Sequence, residues 1–108
     1  MEKVLGKITY AEFGTVRDYP FLMGLELFFD LADGTTIGSG AKYMVNISPE
    51  CRWESQERSE AITKMVDHLY GVLKDAKVNN VSELINKPVE VTIDKSTFKD
   101  FRILTEVL

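Results

Sequence analysis

Cysteine is almost absent from these 108 residues: Cys51 stands alone, so no intrachain disulfide can form and a cysteine-built zinc site is excluded on ligand count. Histidine is as scarce, with His68 the single imidazole, so any Ser–His or Cys–His chemistry would have to pass through one position. No stretch of about 18 apolar residues occurs. Glu2, Lys3 and Lys7 place charges where a secretory signal needs its apolar segment. The expected setting is the cytoplasm, with no membrane partner. A positive field is lacking too: 13 Lys and Arg stand against 17 acids, for a net charge of −4, and the basic residues form no run. That balance disfavours direct nucleic-acid binding. Repeats, linkers and low-complexity segments are also missing, so residues 1–108 are expected to form a single domain.

What is present is a globular balance of 44% hydrophobic and 28% charged residues, enough for one core. Residues 4–13 carry Val4, Leu5, Ile8, Tyr10 and Phe13 among polar neighbours and predict a first strand ending at Gly14. Thr15 to Pro20 reads as a connection that exposes Arg17 and Tyr19, since Asp18 and Pro20 favour turns. Phe21 to Ala32 is the most apolar segment and predicts a central strand. Leu25, Leu27, Phe29 and Leu31 are assigned to one face, and Met23, Phe28 and Ala32, with Glu26 and Asp30, to the other. Asp33-Gly34 supplies a tight hairpin turn, and residues 35–45 should return antiparallel, weakened at Gly38 and Gly40.

The period then lengthens to 3.6 residues from Glu54 to Lys77. Ile62, Met65, Val66, Leu69, Val72, Leu73 and Ala76 form the apolar face of this helix. Glu57, Glu60, Lys64, Asp67, Lys74 and Asp75 face solvent. His68 falls about 90° from the centre of the apolar face, at its boundary. Asn79-Asn80 supply a left-handed stop, and Asn80-Val81-Ser82-Glu83 a capping box before Pro88. Strands at 89–94 and 101–107, joined by a polar link, close the chain as a hairpin. The predicted order β-β-β-α-β-β is an α+β fold: an antiparallel sheet with one long amphipathic helix on one face.

The segments Lys87-Pro88-Val89-Glu90-Val91-Thr92 and Arg102-Ile103-Leu104-Thr105-Glu106-Val107, preceded by Leu73-Lys74-Asp75-Ala76-Lys77, resemble the C-terminal half of a family of small proteins encoded by tailed bacteriophages. Ile8-Thr9-Tyr10-Ala11-Glu12-Phe13-Gly14, Gly24-Leu25 and Gly38-Ser39-Gly40 are similar to that family's N-terminal half. Thr36 to Ala41 departs from the aromatic, glycine-rich segment found there. The resemblance implies a phage product acting in the cytoplasm of an infected bacterium. It brings neither catalytic residues nor a mechanism.

Candidate binding residues come from the loops and the glycine segment. Gly38-Ser39-Gly40 can bring backbone N–H groups close to an anion or can simply be a bulged strand. It has neither the third glycine nor the following helix of a dinucleotide fingerprint. Arg17 with Tyr19, and Arg52 with Trp53, pair a cation with an aromatic on exposed segments, as nucleotide clamps and protein anchors do. Lys42 and Tyr43 can join either group. No catalytic constellation, metal site or cofactor is predicted, and neither Ser39 nor Cys51 is brought to His68 by any pattern. The sequence therefore suggests a binding protein rather than an enzyme, one that blocks or sequesters a host component such as an antiphage defence protein, with the helix's charged face as the presenting surface for a protein target. The alternatives are a sponge for a nucleotide-type signal and an accessory protein of phage DNA metabolism or assembly. Unpaired sheet edges, with Phe28 and Met23 on the second face, suggest a homodimer.

Overall fold

The computed structural model describes residues 1–48 and 55–108. Strand β1 (Glu2–Thr15) is the longest strand. It pairs antiparallel with β2 (Leu22–Leu31) on one side and β5 (Pro88–Asp94) on the other. Beyond β5 lies β6 (Thr97–Ile103). Beyond β2 lie two short strands, β3 (Thr36–Gly38) and β4 (Tyr43–Asn46), end to end along the same edge. One helix, α1 (Ser55–Ala76), follows β4. The antiparallel sheet with a single long helix is the α+β architecture expected, with the order β-β-β-β-α-β-β.

The extra strand arises because residues 35–45 do not run through as one return. The chain turns out of the ladder after Gly38, and the Ser39 carbonyl accepts the Lys42 N–H. Leu27 would thereby lose its acceptor on that side. Instead the Ser39 hydroxyl oxygen accepts the Leu27 N–H at 3.0 Å, while the Ser39 N–H donates to the Leu27 carbonyl at 2.9 Å. A side chain thus replaces a backbone carbonyl at a buried position, where an unpaired amide is costly. Gly40 takes the positive φ, +56°, that this excursion needs.

A bulge at Thr9 shifts β1 against β2 between Ile8 and Tyr10, and so changes which residues point inward. Val4 and Ile8 serve the core before it, Ala11 and Phe13 after it. Along β2 the alternation is unbroken, which corrects the placement of Met23. It shares the face of Leu25, Leu27, Phe29 and Leu31, while Phe28 lies with Glu26 and Asp30 on the outer face.

The sheet curls strongly around this core. Phe29 of β2 stacks on Phe98 of β6 at 5.5 Å and meets Phe101 at 5.2 Å. Their strands stand three places apart, roughly 14 Å in a flat sheet. Val72 and Ala76 of α1, with Leu69 and Leu73 beside them, pack into the concave side. Val66 does not: it is 50% exposed, against its assignment to the apolar face.

Element ends differ in ways that local chemistry explains. Helix α1 stops through Lys77, at φ +59°, with the Val78 N–H returning to the Leu73 carbonyl. Asn79 and Asn80 are not its left-handed residues. The Glu83 carboxylate accepts the Asn79 N–H at 3.0 Å, while the Asn80 side chain caps no backbone N–H, so the expected capping box is formed only in part. The last hairpin turns tightly through Lys95 and Ser96, both at positive φ, so β6 begins at Thr97 rather than 101. Arg102 then bridges Glu90 and Glu106 across the exposed face.

Candidate functional site

Strand β4 is placed by a close approach. A side chain at Gly24 would put its Cβ 2.2 Å from the Tyr43 carbonyl oxygen, so only glycine lets β4 lie against β2 here. Tyr43 pairs with Leu25 and turns its ring to the concave side of the sheet. The curl delivers β6 to the same place. The Tyr43 hydroxyl donates to Asp100 Oδ1 at 2.9 Å, and Phe98 and Phe101 stand edge-on to its ring. From α1, the His68 ring stacks on Tyr43 at 4.2 Å with 18° between the planes.

Burial shapes the electrostatics of the pair. Desolvation, followed by the hydrogen bond to Asp100, drives the Tyr43 hydroxyl far above the ordinary phenol range. Desolvation lowers the His68 pKa, with Asp100 opposing it. His68 is therefore neutral at pH 7 and becomes a cation only on acidification.

Between β4 and α1 this pair borders an open groove of about 330 Å³. Met44, Val45, Ala61 and Met65 supply an apolar wall, and Lys42 and Lys64 stand at its sides. The arrangement joins aromatic edges, polarisable thioethers and two ammonium groups. It suits a ligand with a flat apolar part and an anionic part. Among the described residues the Ser39 hydroxyl is buried against Leu27 N–H, and Asp100 is bonded to Tyr43.

Of the residues singled out from the sequence, Lys42 and Tyr43 meet in this groove. Gly38 and Gly40 each have a structural part. Gly38 leaves room for the Phe28 ring, which a Cβ would approach to 2.5 Å, and Gly40 turns the chain. Arg17 and Tyr19 are separated: Arg17 lines a second concavity of about 310 Å³ with Tyr10, Glu12 and Glu26, whereas Tyr19 stands edge-on to Phe21. Arg52, Trp53 and Cys51 lie outside the described residues. Lys64 and Asp100 were missed. Lys64 precedes His68 by one helical turn and shares its side, a spacing the sequence did offer. Asp100 carries no sequence signal, since it reaches Tyr43 across 57 residues.

Among the described residues no group of three or more His, Cys, Asp or Glu is placed to hold a metal ion, and no helix is long and apolar enough to cross a membrane. Comparison with protein-family models, curated proteins and solved structures finds no match.

Proposed function

We propose that this chain is a phage-encoded binding protein that sequesters a nucleotide-type signal of a host antiphage defence, holding it in the groove between β4 and α1 without turning it over. The observation that carries this reading is the placement of Lys42 and Lys64 beside the stacked Tyr43 and His68 at a groove with an apolar wall. The ammonium groups offer point charges to phosphate, and the rings and methionines offer contact to a base. The resemblance of both halves of the chain to small proteins of tailed bacteriophages supports the phage part of this reading. The test is to denature protein purified from a phage-challenged host and to analyse the supernatant by chromatography and mass spectrometry. A nucleotide released near one per chain is expected, and its loss in Lys42→Glu/Lys64→Glu. Empty supernatants, together with no binding of nucleoside phosphates or cyclic dinucleotides in equilibrium dialysis, would overturn the proposal.

A second reading, direct binding of a host defence protein, is favoured by one feature of α1. Val66 and Tyr70, one turn apart, are 50% and 67% exposed, beside the acidic Asp67. Such an aromatic and aliphatic pair is a serviceable interface anchor. Capture of a host protein that Tyr70→Ala abolishes and Lys42→Glu/Lys64→Glu leaves intact would select this reading over the first.

A further inference from the structure

The convex face of the sheet, turned away from α1, carries a charge pattern the groove does not use. Before the bulge, β1 presents Lys3, Leu5 and Lys7 outward; after it, Tyr10 and Glu12. Glu12 stands directly opposite Glu26 of β2, and Tyr10 opposite Phe28, with ring centroids 5.3 Å apart. Like charges at directly paired positions destabilise a sheet. Among the described residues neither glutamate forms an ion pair, and neither does Lys3 or Lys7, although Arg17 lines the same concavity as the two carboxylates. Leu5 is 55% exposed and Phe28 39%.

Lys3, Leu5, Tyr10 and Glu12 therefore form an order that is self-complementary about its centre, where Lys7 stands paired with Asp30 of β2. A two-fold axis lying in the interface and crossing β1 between Lys7 and Ile8 sets residue 3 over residue 12 and residue 5 over residue 10. We infer that two copies of this chain pack convex face to convex face, with Lys3 of each over the Glu12–Glu26 pair of the other and Leu5 against Tyr10 and Phe28. The contact is isologous, as a two-fold dimer requires. It needs about 800 Å² from each copy, a modest part of the 7074 Å² of surface. The groove at β4 and α1 stays open, so the inference stands independently of what the groove binds.

Sedimentation equilibrium of the full chain at low and high salt tests it. A dimer that weakens as salt rises is expected, because these charges sit at the surface. Glu12→Lys/Glu26→Lys should weaken association at least tenfold, and adding Lys3→Glu/Lys7→Glu should restore it. Should the reversed chain fail to fold, Glu26→Gln provides the reading: it relieves the repulsion within each copy, so the melting temperature of the monomer should rise while the dimer weakens severalfold. A monomer at every concentration, or a dimer through the sheet edges that ignores all of these changes, would overturn the inference.

Discussion

Replacing Ser39 by alanine tests the repair at the break between β3 and β4. The change deletes one oxygen, the sole acceptor seen for the Leu27 N–H at 3.0 Å, and Leu27 itself is fully buried. An amide left unpaired in such a place costs about 1–3 kcal/mol. In a domain of this size each kcal/mol moves the melting temperature by roughly 4–8 °C, so Ser39→Ala should melt roughly 4–24 °C below the parent. Ser39→Thr retains the oxygen and should recover most of the loss. Thermal and urea unfolding followed by far-UV circular dichroism measure both, and the urea slope should not change, since the surface exposed on unfolding is the same. Amide exchange at Leu27 should quicken in the alanine variant. If Ser39→Ala melts within about 2 °C of the parent, well short of the effect of an orphaned amide, the hydroxyl is not what completes the ladder and the account of the strand break is wrong.

Three further outcomes follow from the same structure. Gly24→Ala drives a methyl into the Tyr43 carbonyl and Met44 Cα, so it should cost about 1–3 kcal/mol and loosen β4, lowering the melting temperature together with the nucleotide affinity proposed for the groove, as dialysis would measure. Tyr43→Phe removes the bond to Asp100 and should cost about 0.5–1.5 kcal/mol, and Tyr43→Phe/Asp100→Ala should lose less than the sum of the two single changes, Asp100 also accepting the Phe101 N–H; additive losses would show that the two side chains are not coupled. His68 has a depressed pKa when folded, so its contribution to stability is complete above the ordinary value of 6.5 and is lost as pH falls below it toward the folded pKa. Melting temperature should therefore decline with acidification less steeply in His68→Gln, whereas binding of an anion by the parent should tighten over the same window; a groove whose affinity does not respond to pH there would remove His68 from the binding site.

Much of the fold is legible locally. At Asp33-Gly34 the turn forms as the residue types require: Asp33 Oδ1 accepts both the Thr35 N–H and its hydroxyl, and Gly34 sits at φ +90°. The helix from Ser55 to Ala76 follows from its 3.6-residue period, and its boundary position at His68 is where the ring meets Tyr43. What is not legible depends on the curl of the sheet. Val66 satisfies the helical period but projects past the edge of the concave surface, because only the last turns of α1 reach the deepest part of the core. Similarly, Lys42 and Tyr43 are visible as candidates, yet the partners that make them a site come from β6 and the helix, and no spacing along the chain encodes that meeting. The part Ser39 plays in the ladder is hidden for a related reason: its hydroxyl answers a vacancy on β2 that exists only once the return strand has broken.

The bulge at Thr9 also governs how the sheet can be assembled at all. β1 is the template on which β2 and β5 are laid, and its side-chain alternation changes phase partway along. Without the extra residue, strict alternation from Ile8 onward would turn Tyr10 and Glu12 into the core and Ala11 and Phe13 out of it. The bulge thus lets one strand line the regular β2 along its whole length although its own apolar residues change parity at Thr9.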